Sequence, residues 1–374
     1  MYNEVRYPAR ERHLGMSDTM VSSRRFQGGW LLSPGYDLTL IFGVLALAIG
    51  SGVTVALRPD WFVYVLLADL WLLGYHHVIS TFTKLAGTRE DRQENRFLIY
   101  YLPFIVLGAT AGIGMTVGVW AIITIYFFWQ WYHYVRQSYG IAVFYIRKQE
   151  KPAPDPAAEK WLNNLVVWSV PVWGVLYRCA QGWEEFLFQK IWLPPVPVFV
   201  VQVAGAVALA STLAWVVTRV IAWSQNCLSL AHTFFVASHI CAFYVGYIAI
   251  EHINIGWLTA NIWHNAQYVL FVWLYNTNRF KNPSAETKGV WIAWLSQRSR
   301  KHILAYFAFC LGATSVFYGA LTYGFKTFAP NKEVLLMLYV LAFQTLNFHH
   351  YVVDSMIWKA RNKKNRAVMD VKGA

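Results

Sequence analysis

Two pairs of adjacent histidines lie in apolar stretches of this chain, His76–His77 in YHHVISTFTK and His349–His350 in NFHHYVVDSMIWK. Asp354 follows His350 by four residues, so these two side chains share one face of a helical segment. An ionisable side chain at bilayer depth is costly unless it is paired, ligated or hydrated, which makes it a functional candidate. Imidazole with carboxylate is a donor set for non-haem iron, zinc or copper. These residues therefore predict a metal site.

Other histidines lie in apolar runs at a similar depth. Of the 11 histidines, those inside such runs are His76, His77, His133, His232, His239, His264, His349 and His350. A helix rises about 1.5 Å per residue, which places them roughly 11–22 Å from the basic or polar residues at the inner ends of their runs. The predicted helices thus bring histidine to one layer, between the cytoplasmic half of the bilayer and its midplane.

The predicted ligands are the members of this layer that could converge on a metal. They are His76, His77, His133, His239, His264, His349, His350 and Asp354. A mononuclear site uses three or four ligands, so this larger pool predicts two metal ions, or one metal and a porphyrin. Ligand histidines usually donate their second ring nitrogen to a carboxylate, amide or carbonyl. The residues expected to support the ligands or to face a substrate are Asp69, Arg136, His232 and Gln267.

The composition predicts that most of the chain lies in lipid. Of its 374 residues 57% are hydrophobic and only 14% are charged, whereas soluble domains carry about 25% charged residues. The four cysteines have no CxxC spacing, so neither a disulfide framework nor a thiolate zinc site is expected.

Apolar runs of about 20 residues predict transmembrane helices. Ten such runs lie near 37–57, 61–83, 97–117, 119–146, 161–177, 196–218, 226–250, 256–276, 303–325 and 334–358. With both termini in the cytoplasm, most of the 32 lysines and arginines lie on inner segments, as the positive-inside rule requires. The net charge of +13 then reflects topology, and no nucleic-acid partner is expected.

The predicted architecture is accordingly an all-α, polytopic transmembrane bundle of about ten helices. Residues 1–29 form a retained basic cytoplasmic tail, 30–358 a single transmembrane bundle, and 359–374 a second basic cytoplasmic tail. The expected location is a bacterial inner membrane.

The histidine pattern resembles that of the integral-membrane histidine-cluster iron oxygenases, which include fatty-acid desaturases, alkane hydroxylases and bacterial β-carotene dioxygenases. The segments WHNAQYVLFVWLYNTNRF (263–280) and NFHHYVVDSMIWK (347–359) are also similar to stretches of bacterial polytopic membrane proteins without assigned activity. The resemblance implies two irons, oxidation of a lipophilic substrate with O2, and a separate electron-donor protein. The chain has no HxxxH or HxxHH motif, so the ligand identities of those enzymes do not carry over.

Two other functions remain open from the sequence. Single histidines on separate helices, such as His133, His239 and His264, could be axial ligands of haem or chlorophyll in a subunit of an electron-transfer or photosynthetic complex. Alternatively, Asp69, Arg136 and buried histidines could form the relay of a proton-coupled transporter.

Overall fold

The computed structural model describes residues 26–282 and 290–371, and these confirm the predicted all-α class. The helices are α1 Pro34–Leu57, α2 Pro59–Leu85, α3 Arg89–Glu94, α4 Arg96–Tyr100, α5 Leu102–Thr116, α6 Val119–Arg147, α7 Pro156–Ala180, α8 Val198–Ser224, α9 Leu230–Ala249, α10 Ile253–Arg279, α11 Trp291–Leu295, α12 Arg300–Phe328, α13 Lys332–Ile357 and α14 Lys363–Met369. Two-residue strands form two small pairs: β1 Phe26–Gln27 runs parallel to β4 Leu228–Ser229, and β2 Glu185–Phe186 runs antiparallel to β3 Gln189–Lys190.

Among the described helices, α1, α2, α8, α9 and α12 are long and apolar enough to cross a membrane. The other long helices, α6, α7, α10 and α13, coincide with predicted spans but carry more polar side chains. The predicted span 97–117 is divided at Tyr101 into α4 and α5. Pro103 stands in the first turn of α5, where its missing N–H and fixed φ favour a helix start over a helix interior.

Helix α10 lies at the centre of the fold. Nearly every residue from Ile253 to Thr277 is buried, so this helix is enclosed on all sides. At its N-terminal end, the buried Arg178 of α7 donates hydrogen bonds to the carbonyl oxygens of Gly246 and Glu251. The guanidinium thereby satisfies carbonyl groups that the end of α9 leaves without helical partners.

The segment after residue 358, predicted as a tail, folds back onto the bundle through α14. The Lys84 ammonium group lies 3.8 Å and 3.7 Å from the ring centroids of Tyr275 and Trp358. It also donates a 2.7 Å hydrogen bond to the buried Asn365 of α14. Of the predicted N-terminal tail, residues 1–25 lie outside the described part of the chain.

A buried ion pair joins α3 to the C-terminal end of α10. Arg279 donates from Nη1 to Asp91 Oδ2 at 2.7 Å and from Nη2 to Oδ1 at 3.0 Å. Lys364 of α14 adds a contact of 3.3 Å to Asp91. Burial by itself raises the pKa of Asp91, but the Arg279 guanidinium, the Thr88 hydroxyl and the Lys364 ammonium group together outweigh it and hold this pKa below its ordinary range.

Because the Asp91 pKa is lowered in the folded state, its ionised form adds stability that is complete above the unfolded-state pKa. That stability is lost as the pH falls through the lowered value. We expect Asp91→Asn to reduce the free energy of unfolding at neutral pH by about 3–5 kcal/mol, since Arg279 loses its buried partner. The variant should also lose part of the acid-induced destabilisation. Unfolding of the detergent-solubilised protein, measured from pH 7 downward, tests both effects.

Glu90→Gln is the matched control, because this neighbouring carboxylate is exposed and lies 3.8 Å from Lys364. It should leave both stability and acid response nearly unchanged. An acid response in Asp91→Asn equal to that of the parent protein would contradict the assignment.

Candidate metal centre

Side chains from four helices converge at one buried position. They are His77 of α2, His133 of α6, His264 of α10, and His350 and Asp354 of α13. Two groups within this cluster have all their ligand atoms within 4.8 Å of one another: His77, His133 and His264 form the first, and His133, His350 and Asp354 the second. All five side chains are buried. We call this set the histidine cluster.

The local helix geometry aims these side chains. A π-helical turn, Leu70–Gly74, precedes His76–His77 in α2, and the Nδ1 atom of His77 lies 3.1 Å from the carbonyl oxygen of Gly74. Turns of this kind are frequent at functional sites because they rotate the residues that follow. In α13, the i,i+4 spacing brings His350 Nε2 to 3.3 Å from Asp354 Oδ2.

The distances within the cluster suit the donors of one ion. His77 Nε2 lies 2.7 Å from His350 Nε2, and His133 Nε2 lies 3.8 Å from Asp354 Oδ2. Donor atoms bound to one ion at about 2.0–2.2 Å are separated by roughly 2.8–4.4 Å, from neighbouring to opposite positions. Both of these separations lie in or next to this range, and the cluster as a whole consists of two triads that share His133.

The hydrogen-bond partners decide where the imidazole protons lie. A carbonyl oxygen only accepts, so His77 carries its proton on Nδ1 toward Gly74 and presents a lone pair at Nε2. His350 Nδ1 lies 3.0 Å from Thr81 Oγ1, which lies 2.8 Å from Tyr268 Oη. Tyr268 Oη in turn donates to Asp354 Oδ1 at 2.7 Å. This chain directs the His350 proton to Nδ1 and leaves a second lone pair at its Nε2.

Two imidazole lone pairs therefore face each other at 2.7 Å, an arrangement that is repulsive without a proton or cation between them. Within the described residues, His133 Nε2 and both ring nitrogens of His264 are also buried without a hydrogen-bond partner. Each unsatisfied buried polar atom costs about 1–3 kcal/mol. A metal ion in the cluster would use His133 Nε2 and one ring nitrogen of His264 as ligands, so the donor set fits a metal.

The remaining predicted ligands lie outside the histidine cluster. His349 Nε2 donates to the Leu98 carbonyl oxygen at 2.8 Å, and His76 Nδ1 donates to the Leu72 carbonyl oxygen at 3.2 Å. His239 is bonded at both nitrogens, by Ser138 Oγ at 2.8 Å and by a backbone carbonyl at 3.0 Å. Adjacent residues on a helix point about 100° apart, so each histidine pair sends one ring into the cluster and the other away from it.

The predicted supporting residues have different surroundings. Asp69 accepts hydrogen bonds from Asn261 and Asn265, and Asn261 accepts one from Tyr134, whose ring centroid lies 4.2 Å from that of His264. Three further residues were predicted. Gln267 is fully buried and accepts from Gln137, His232 is fully buried near the start of α9, and Arg136 lines a cavity beside the cluster.

Thr81 and Tyr268, which orient the ligands, are not among the predicted site residues. A signal for them exists, because each follows a cluster histidine by four residues, as Asp354 follows His350. The i,i+4 position is the one that shares a helix face with the histidine.

A cavity of about 590 Å³ reaches the cluster at His133 and Asp354, and Tyr268 also lines it. This volume lies within the range of about 300–1,000 Å³ typical of small-molecule sites. Aromatic side chains of α6, α10 and α13 form much of its wall, among them Trp129, Phe144, Phe271 and Tyr351. The arrangement gives a small molecule access to the buried donors.

Comparisons with known proteins returned no match to any family model, curated protein or solved structure.

Tyr268→Phe removes the hydroxyl that donates to Asp354 Oδ1 and accepts from Trp358 Nε1 at 2.9 Å. Loss of such a supporting contact typically weakens metal binding about 10–100-fold. We expect this loss in a Co²⁺ titration of metal-depleted protein followed by visible absorption. Tyr275→Phe, two turns further along α10, should titrate like the parent protein; equal affinities for both variants and the parent would remove Tyr268 from a supporting role.

Proposed function

We propose that this chain is a membrane metalloenzyme that oxidises a lipophilic substrate with O2, and that the histidine cluster binds its iron. The main support for this proposal is the convergence of four imidazoles and one carboxylate, in which the Nε2 lone pairs of His77 and His350 face each other. His133, His350 and Asp354 also form a two-histidine, one-carboxylate set, a ligand type of non-haem Fe(II) oxygenases that leaves positions open.

The proposed stoichiometry is one iron. The sequence-based expectation of two ions counted eight ligands, whereas five of these converge in the structure. The two triads share His133, so one ion bound by either triad leaves positions open for O2 or solvent. Metal analysis measures this number directly.

A bare ion suits the cluster better than a tetrapyrrole. The ring centroids of His77 and His350 are 4.3 Å apart, and those of His133 and His264 are 4.9 Å apart. A haem or chlorophyll bound through an axial imidazole needs an open face broad enough for the macrocycle. Contact among the imidazoles leaves no such face within the cluster.

The proposed membrane arrangement has ten crossings with both termini in the cytoplasm of a bacterial inner membrane. Helices coincide with the ten predicted runs, with α4 and α5 sharing one of them, and five helices have the length and composition of spans. The basic residues of the cavity lie at the end of the bundle that this orientation places inside. A lipophilic substrate would reach the cavity from the bilayer.

The proposed reaction is hydroxylation or desaturation of an unactivated carbon chain. Iron held by imidazole and carboxylate supplies O2 activation when it is bound. Hydroxylation uses O2, two electrons and two protons, placing one oxygen atom in the substrate and the other in water. Desaturation also uses O2, two electrons and two protons. It removes two hydrogen atoms from the substrate and releases two waters. A separate donor protein would supply the electrons. Tyr268 and Thr81 hold Asp354 and His350 in position, and the aromatic wall excludes water.

The two histidine pairs provide a matched test of the metal centre. His350→Ala and His77→Ala should each lower bound iron by at least about tenfold, since each removes a converging donor. His349→Ala and His76→Ala remove a neighbouring imidazole at the same depth that points away from the cluster. These controls should retain iron close to the parent level. Elemental analysis of purified protein, beside its visible spectrum, is the measurement.

If the His76→Ala and His349→Ala proteins lost as much iron as the His77→Ala and His350→Ala proteins, the metal centre would not be the histidine cluster. A strong Soret or chlorin band would move the function to a haem or chlorophyll subunit. If the protein is purified without chelators and still contains neither metal nor chromophore, the result would favour a proton-coupled transporter.

Activity is tested separately on iron-loaded protein in nanodiscs of bacterial lipid. With a small-molecule reductant, O2 consumption and an oxygenated or unsaturated lipid product detected by mass spectrometry are expected. The His350→Ala protein should form no product, whereas His349→Ala should form it. Iron-loaded protein that consumes no O2 and yields no product in any lipid would overturn the proposed reaction.

A further inference from the structure

The cavity beside the histidine cluster has one strongly basic end. Its lining includes Arg147 at the end of α6, and Lys359 and Arg361 just after α13. Asp354 is the carboxylate in the lining, and it belongs to the cluster at the opposite end. The cavity thus runs from cationic groups at its mouth to the candidate metal centre.

The distance between these ends matches a lipid tail. Arg147 follows His133 by 14 positions in α6, and Lys359 follows His350 by nine in the α13 segment. At about 1.5 Å per residue, the mouth lies roughly 13–21 Å from the cluster. One leaflet contributes about 15 Å of hydrocarbon depth, half of the bilayer core. A lipid whose headgroup stays at the interface could therefore place its chain against the cluster.

The wall between the two ends suits an apolar chain. Trp129, Phe144, Phe271 and Trp358 contribute aromatic surface to it. Gly140 also lines the cavity, and a Cβ atom built on it would meet nothing within 4 Å. The absence of a side chain at this position keeps the middle of the passage open.

Arg136, the other cation in the lining, differs from the basic residues of the mouth. It lies one turn from His133 along α6, and its guanidinium carbon lies 5.8 Å from the ring centroid of Tyr139. Its side chain is exposed. A long side chain of this kind can snorkel away from apolar surroundings while its stem covers the cavity wall.

We propose that the cavity binds a single-chain amphiphile with an anionic headgroup. Arg147, Lys359 and Arg361 hold the carboxylate or phosphate, and the acyl chain passes Gly140 toward the histidine cluster. That this amphiphile is the enzyme's substrate rests on the proposed function. In that case the oxidised carbon lies far along the chain from the headgroup.

The test compares two ligands that share a chain and differ in charge, palmitate and hexadecanol. Binding of each radiolabelled ligand is measured on the full-length protein in zwitterionic nanodiscs, with empty nanodiscs as background. A triple variant, Arg147→Gln, Lys359→Gln and Arg361→Gln, should bind palmitate at least about tenfold more weakly, because it loses the three cationic groups that bind the carboxylate. It should bind hexadecanol as the parent does, which also shows that it is folded.

Two further variants complete the design. Gly140→Leu should weaken both ligands at least about tenfold, because its side chain fills the passage. The triple variant Lys148→Gln, Lys160→Gln and Lys363→Gln removes three cations that do not line the cavity. It should bind both ligands like the parent protein.

Equal palmitate affinities in the mouth variant and the control variant would overturn the proposal, as would unchanged binding in Gly140→Leu. Iron content measured on the same samples keeps the two proposals separate. Selective palmitate binding by iron-free protein would support the amphiphile site even where the oxidase proposal fails. Iron-loaded protein without palmitate selectivity would overturn the amphiphile site alone.

Discussion

The opposition of His77 Nε2 and His350 Nε2 at 2.7 Å is the constraint on which the arrangement of the central helices depends. The bonds of His77 to Gly74 and of His350 to Thr81 direct both protons to the far side of the rings. The near sides then repel each other unless a cation lies between them. Such a contact persists in a fold only where the ligand-bearing helices are held firmly from outside.

Helix α10 supplies this support because it is tied to its neighbours at three levels. Asn261 bonds Asp69 of α2, Tyr268 bonds Asp354 of α13, and Arg279 bonds Asp91 of α3. Each of these polar groups is buried or nearly so, and each is satisfied by a partner on another helix. Buried polar pairs of this kind specify one packing, because any shift along the helix axis leaves charged or polar atoms unpaired.

The cluster and the cavity place opposite chemical demands on the same helices. Donor atoms for a metal must be desolvated and fixed, whereas a substrate needs a path to them. The structure opens the cavity along α6, where Gly140 leaves space, and buries nearly all of α10. Lys359 and Arg361 at the mouth are exposed, so their charges remain hydrated.

By itself the sequence determined the all-α class, the positions of the long helices and the layer of buried histidines, since apolar length and the spacing of polar residues are local properties. It also paired His350 with Asp354, because an i,i+4 relation is set within one helix. Tertiary structure decided which ring of each histidine pair enters the cluster. The choice between His76 and His77, or between His349 and His350, depends on helix rotation against neighbours, and a π-helical turn in α2 contributes to that rotation. Tertiary structure also keeps His239 out of the histidine cluster, because Ser138 and a backbone carbonyl of another helix bond its two ring nitrogens. No local sequence pattern reveals these two partners.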